Sequence, residues 1–178
     1  MAENLEFKIL YRIQNKYSPF WDNFAVILDA LFKYGALLIV ITAVFLYFKK
    51  TRRIGESMMI SLILSLVVCN MFLKPLIGRT RPFVLDPYVY MLISPPTDGS
   101  FPSGHTYSTF AWATALFLHK RIWGLLALFV AFGVGLSRLY LFVHYPSDVA
   151  AGAVLGILTA VISEKLILLT EKSKKWNS

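Results

Sequence analysis

Residues Ile122 to Ser137 read IWGLLALFVAFGVGLS, sixteen positions without a charge, bounded by Lys120-Arg121 before and Arg138 after. The run has neither the period of two of a half-buried strand nor a polar face, so it reads as a helix apolar all round. A bilayer span needs roughly 20 apolar residues, range about 17 to 25, so one run of this length decides nothing alone. Four further runs repeat the pattern. Tyr34 to Phe48 is uncharged, and extends back to Ala25 if Asp29 and Lys33 pair one turn apart. Ser57 to Leu73, Thr106 to Leu118 and Val149 to Leu169 follow, the last carrying Glu164 and Lys165 near its end. Each gap carries charge or Pro/Gly signals. The expected fold is therefore all-α, an integral membrane helical bundle of about five transmembrane helices.

Composition agrees. Of the 178 residues 57% are apolar and 16% charged, against about 25% charged in an average soluble domain. The mean hydropathy is +0.61. These values exclude a disordered chain, which needs low hydrophobicity and high charge. The single cysteine, Cys69, excludes an internal disulfide framework and a multi-cysteine metal site, and reads as packing. A net charge of +8 first raises nucleic-acid binding. The basic residues instead fall in short clusters between apolar runs, which fits membrane topology, so no nucleic-acid partner is expected.

The chain reads as one domain in three parts. Residues 1–33 form an N-terminal amphipathic segment, broken at Ser18-Pro19, that reads as interfacial helix rather than a span. Residues 34–169 are the transmembrane core and 170–178 a basic tail. With five spans, the clusters Lys49, Lys50, Arg52, Arg53, then Lys120, Arg121, then Lys172, Lys174, Lys175 share one side, the cytoplasm by the positive-inside rule. The expectation is a multi-pass protein of the cell membrane with a cytoplasmic C-terminus. Trp21, Trp123 and Trp176 read as interfacial anchors, and Trp112 as packing between helices.

Three polar islands fall on the opposite, extracytoplasmic side. They are Lys74 to Pro82, Phe101-Pro102-Ser103-Gly104-His105, and Ser137-Arg138 followed by His144 and Asp148. Ionisable residues at a membrane edge are costly and by default mark function. Lys74, Arg81 and Arg138 are donors without acceptor capacity, which suits a phosphate. Ser103 and Gly104 lie just ahead of a helix, whose N-terminal amides also favour an anion. His144 and Asp148 are four apart, so the carboxylate can hold one imidazole nitrogen and leave the other as an oriented nucleophile or base. His105 is then the natural acid for the leaving group, and a phosphohistidine would split hydrolysis into two easier steps. Two-metal phosphatases need several carboxylates, and few are available here. No metal and no cofactor are expected, with Lys and Arg stabilising the transition state instead.

These blocks resemble the type 2 phosphatidic acid phosphatase superfamily. Its pattern is Lys, six residues, Arg-Pro; then Pro-Ser-Gly-His; then Ser-Arg, five residues, His, three residues, Asp. All eleven specified positions occur here in order, and the blocks with their spans cover Lys74 to about Leu169. The resemblance implies that His144 is the nucleophile, Asp148 its orienting carboxylate and His105 the general acid that later activates water. It implies Lys74, Arg81, Ser103, Gly104 and Arg138 as the phosphate-binding set, and a metal-independent reaction. Membrane members commonly have six spans, against the five read here. The spans argue against the family's soluble acid phosphatases and haloperoxidases. The implied substrate is a membrane lipid phosphate, first undecaprenyl diphosphate, converted to undecaprenyl phosphate. Phosphatidylglycerol phosphate, phosphatidic acid and lipid A are the alternatives.

Two other classes compete. One is a catalytically inactive scaffold or transport factor, against which the complete motif set speaks. The other is a transporter, which should carry its ionisable groups at the bilayer midplane rather than at one end. Beyond the lipid bilayer and the substrate, no obligate protein partner is evident. Arg79 lies outside the required pattern and reads as structural or lipid-facing, and His119 as a solvated turn residue. The apolar loop Phe83 to Ile93 reads as an interfacial segment, or as a border of the lipid-tail path.

Overall fold

The computed structural model describes residues 5–176 and, among these, side chains up to 173. Met1 to Asn4, the side chains of Lys174, Lys175 and Trp176, and Asn177-Ser178 lie outside the described residues, so the basic tail and the Trp176 anchor are seen only in part. No strand occurs among the described residues.

Helix α1 (Leu5–Gln14) is short and amphipathic, with Leu10 fully buried. A turn at Asn15-Lys16 follows it, and Ser18 caps α2 (Pro19–Phe32), its Oγ accepting the Trp21 N–H at 3.4 Å while Pro19 takes the first helical position. A 3-10 turn at Lys33–Gly35 joins α2 to α3 (Ala36–Tyr47). Tyr34 and Gly35 both have positive φ, 57° and 70°, and at Gly35 the missing Cβ removes the steric cost. Helix α4 (Arg52–Val67) runs through a π-helical turn (Val68–Leu73) into α5 (Lys74–Ile77), and α6 is the single turn Pro82–Leu85. Three long helices complete the bundle: α7 (Gly104–His119), α8 (Arg121–Tyr140) and α9 (Pro146–Trp176).

Among the described residues, four helical stretches are long and apolar enough to cross a membrane: Pro19–Tyr47, Arg52–Leu85, Arg121–Tyr140 and Pro146–Ser173. The first begins inside the segment read as interfacial, because the kink at Tyr34-Gly35 bends the helix without ending it. The fifth expected span, α7, has 16 residues, about 24 Å at 1.5 Å per residue, short of a hydrocarbon core of about 30 Å. It is the hub of the bundle, packed by α4, α8 and α9, with Ala111, Ala113 and Ala115 fully buried. Trp112 packs between helices as expected and donates its indole N–H to Thr42 Oγ1 at 2.8 Å. Helix α9 lies directly on the α7 backbone. A Cβ at Gly156 would come within 2.6 Å of the Tyr107 carbonyl oxygen, and one at Gly152 within 2.9 Å of that of Ser103. This contact fixes the start of α7 against the start of α9.

Two expectations are corrected here. Asp29 does not pair with Lys33; its Oδ1 accepts from Arg138 NH1 at 2.5 Å across the bundle. Lys33 lies over the Tyr34 ring instead, its Nζ 5.5 Å from the centroid. Neither is His119 a solvated turn residue, since its side chain is only 19% exposed and Nε2 lies 3.1 Å from Glu164 Oε2. Glu164 also accepts from Arg53 at 2.7 Å and from Ser57 at 2.8 Å, and Arg53 reaches Glu171 at 2.8 Å. This knot joins α4, α7 and α9 at the end of the bundle remote from the polar islands.

Candidate active site

All eight expected site residues are brought to one end of the bundle, and Lys74, Arg81, Gly104, His105, Arg138 and His144 line one cavity of about 870 Å³. Lys74 arrives through the π-helical turn, which aims it at the start of α7; its Nζ lies 3.8 Å from where a Cβ on Gly104 would sit. Arg81 precedes Pro82, which holds it extended. Arg138 comes from the last turn of α8, His144 from the following turn, and Asp148 from the first turn of α9.

His144 is nearly fully buried, with Nε2 3.2 Å from Arg81 NH1 and Nδ1 3.5 Å from Asp148 Oδ2. A guanidinium only donates, so Nε2 is the acceptor and the ring proton lies on Nδ1, facing the carboxylate. Burial pushes the His144 pKa down to about 4, Arg81 and Lys74 acting with it against the opposing pull of Asp148. The imidazole is therefore neutral at neutral pH, with its lone pair on the nitrogen that faces the cations.

Asp148 is completely buried and held by several donors. Oδ2 accepts from Ser100 Oγ at 2.5 Å and the Tyr145 amide at 2.9 Å, and Oδ1 from Arg79 at 2.6 Å. Ser100 Oγ also lies 3.4 Å from His144 Nδ1, so it touches both members of the pair. Ser100 and Arg79 were not among the expected site residues, and Arg79 is corrected from a structural or lipid-facing residue to a partner of the site. It also donates to Ser147 Oγ at 2.6 Å and Glu6 at 2.5 Å, and lies over the Tyr145 ring at 4.0 Å. Burial raises the Glu6 pKa, but hydrogen bonds from Ser147 and Arg79 outweigh it, and the carboxyl sits below its ordinary value. Only the proximity of Arg79 to the Lys74–Arg81 block marked it in the sequence.

Asp98 was left in a loop by the sequence. Its carboxylate contacts Lys74 Nζ and accepts from Arg81 NH2 at 2.7 Å, while its carbonyl accepts from Arg81 Nε at 2.8 Å. Burial opposes its ionisation, yet Lys74 and then Arg81 draw its pKa down to about 2. Half exposed, it meets two of the cations expected to hold phosphate. The Ser103 amide is engaged too, donating to the Asp148 carbonyl at 3.1 Å, so it is not free for an anion. The Ser103 hydroxyl accepts from Thr106 at 2.9 Å. On the opposite wall, Asp29 from α2 holds Arg138 and lies 3.8 Å from His105 Nε2. Phe32, Leu66, Leu92, Ile93, Pro95 and Pro96 complete an apolar flank of the cavity. Of the loop Phe83 to Ile93, therefore, only Leu92 and Ile93 reach it.

Residues 52–169 match the PAP2 superfamily model. An undecaprenyl-diphosphatase of Sulfolobus acidocaldarius is 37% identical over 139 residues, covering 76% of this chain and 67% of its own. A lipid A 4'-phosphatase of Bacteroides thetaiotaomicron is 30% identical over 166 residues, covering 86% and 72%. The crystal structure of Aquifex aeolicus LpxE superposes with a TM-score of 0.77 at 28% identity, covering 92% of this chain and 97% of that one. A transmembrane PAP2-type phosphatidylglycerolphosphate phosphatase from Bacillus subtilis gives 0.74 at 26% identity, covering 90% and 83%. With its apolar helices and this match across the three polar islands, the chain belongs to the PAP2 superfamily as a multi-pass membrane phosphatase.

Proposed function

We propose that the chain hydrolyses a membrane lipid phosphate through a phosphohistidine on His144. The observation that carries this is the buried, neutral imidazole whose Nε2 lone pair faces Arg81, with Asp148 behind Nδ1. In the first step Nε2 attacks phosphorus and the bond to the leaving oxygen breaks, His105 donating a proton to that oxygen. As the ring becomes cationic, Asp148 stabilises it. In the second step water attacks phosphorus, its proton returns to His105, and the P–N bond breaks to release phosphate. Lys74, Arg81 and Arg138, with the Ser103 hydroxyl and the Gly104 amide, hold the phosphoryl oxygens. Incoming phosphate takes over the donors that Asp98 occupies. The cavity's carboxylates are already engaged by cations, which favours a reaction without metal.

For the lipid we infer undecaprenyl diphosphate, supported by the named activity of the Sulfolobus relative and by the apolar flank of the cavity. Phosphatidylglycerol phosphate, phosphatidic acid and lipid A are the rival substrates. The meeting of Arg53, His119 and Glu164 at the far end, beside Arg52 and Lys120, supports a cytoplasmic C-terminus and an extracytoplasmic site. The test is phosphate release by detergent-purified protein in EDTA, over a panel of these lipids. Release is expected in EDTA, greatest from undecaprenyl diphosphate, and absent in His144→Ala. Release that needs added metal, or that survives in His144→Ala, contradicts the mechanism. A different preferred lipid corrects the substrate alone.

A further inference from the structure

His144 has an orienting carboxylate in Asp148, but none of the motif residues provides one for His105. His105 Nε2 is buried and has no hydrogen-bond partner among the described residues. An imidazole that donates a proton to an alkoxide and then takes one from water must hold that proton on a fixed nitrogen. Around it, Lys74, Arg81 and Arg138 share the cavity, and each disfavours a further positive charge. Among the described residues, the lining has two carboxylates, Asp29 and Asp98. Asp98 is engaged by Lys74 and Arg81. Asp29 Oδ1 lies 3.8 Å from His105 Nε2 and 2.5 Å from Arg138 NH1. Asp29 is on α2, outside residues 52–169 that match the family.

We propose that Asp29 is the positioning carboxylate of His105, so that a residue from the N-terminal helix completes the acid side of the reaction. The inference rests on the reading of His105 as the general acid. In the resting site Asp29 is held by Arg138. When a lipid phosphate binds Arg138, the guanidinium turns its donors to the phosphoryl oxygens. Asp29 is then freed to close the remaining ångström or so to Nε2, a normal N–H···O distance being about 2.9 Å. Its negative charge keeps His105 protonated beside the leaving oxygen. No bond to Asp29 forms or breaks; the Nε2 proton stays towards Asp29, and the proton that passes to the leaving oxygen, and later returns from water, is the one on His105 Nδ1.

Asp29 acting on His105 and Asp29 acting merely on Arg138 make different predictions. A poor leaving group, such as an alkyl alkoxide, needs the proton. Para-nitrophenolate leaves without it. Asp29 also competes with phosphate for Arg138, so neutralising it should not weaken phosphate binding. The experiment uses the full-length purified protein as wild type, Asp29→Asn, Asp29→Glu and His105→Ala. It measures kcat on an alkyl lipid monophosphate, kcat on para-nitrophenyl phosphate, and competitive inhibition by inorganic phosphate.

For Asp29→Asn the alkyl ester is expected to lose about 100-fold or more in kcat and para-nitrophenyl phosphate less than about 10-fold, within the range of general acid catalysis. Inorganic phosphate should inhibit at the same or lower concentration. Asp29→Glu, which keeps the charge, should retain at least about a tenth of the alkyl-ester kcat, and it carries the test if Asp29→Asn does not fold. Equal losses on both substrates, weaker phosphate inhibition, or an Asp29→Glu as inactive as His105→Ala would each overturn the proposal. If His105→Ala itself loses equally on both substrates, the acid assignment fails, and the inference about Asp29 falls with it for that separate reason.

Discussion

Arg79 reaches Glu6, Ser147 and Asp148 at 2.5 to 2.6 Å, and through Asp148 it bears on His144, the proposed nucleophile. It satisfies one oxygen of a fully buried carboxylate, a task a water molecule could not perform with fixed geometry. Removing a charged partner from a buried group costs about 1.5–3 kcal/mol, which at 1.4 kcal/mol per decade is about 10- to 100-fold. Arg79→Ala is therefore expected to lower kcat by that factor with KM changed less than about threefold, because Arg79 is not among the residues lining the cavity. Steady-state kinetics on a lipid phosphate checks this, and a rise in KM at constant kcat would place Arg79 on substrate instead. The residue was visible in the sequence, but its partners lie 68 or more positions away, so spacing gave no sign of them.

At the scale of the helices, the site depends on how closely α9 approaches α7. A Cβ on Gly156 would meet Tyr107 O at 2.6 Å and Ala111 N at 2.8 Å, and backbone atoms cannot turn aside as a side chain can. Gly156→Ala should cost about 1–3 kcal/mol by overpacking, seen as a lower midpoint of thermal unfolding in detergent. Gly133, on α8, has nothing within 4 Å of an added Cβ, so Gly133→Ala should be neutral or slightly stabilising. An equal gain in both variants would mean that helix propensity rather than close approach governs. The far end provides a second element-scale test. Glu164 accepts from Arg53, Ser57 and His119, so Glu164→Ala leaves three partly buried donors short of an acceptor. A loss of about 1–3 kcal/mol is expected, with kcat nearly unchanged because the knot lies at the opposite end from the cavity. A kcat that falls as fast as stability would show that the two ends are coupled.

For the whole molecule, the buried charges set how stability depends on pH. His144 has a folded pKa of about 4, below its ordinary value of 6.5. As pH falls through 6.5 the unfolded chain binds a proton that the folded chain refuses, so stability declines between about 6.5 and 4 and no further below. Asp98 has a folded pKa of about 2 against an ordinary 3.8. Its contribution is present above 3.8 and is lost as pH falls towards 2. Thermal unfolding against pH should thus show two declining windows, and His144→Gln should make the upper one shallower. The same depression keeps His144, the proposed nucleophile, neutral, so the acid limb of kcat/KM is expected well below pH 6.5. A limb at or above 6.5 would contradict a neutral His144.

The sequence by itself determined the membrane class, because five apolar runs separated by charge or Pro/Gly signals have few other uses, and it named the candidates for the reacting groups. Lys74, Arg81, His105, Arg138, His144 and Asp148 could be named because their spacings within each block are local, and a helix turn or a tight loop fixes such geometry without the rest of the fold. What only the tertiary structure decided were the partners of the charges. Asp29 looked suited to Lys33 one turn on, yet it crosses 109 positions to Arg138. His119 looked solvated, yet it meets Glu164 45 positions later. A buried ion takes whichever opposite charge the packing of helices brings within reach, since leaving it unpaired in a low-dielectric interior costs more than any local pairing gains. That choice is made by the bundle as a whole.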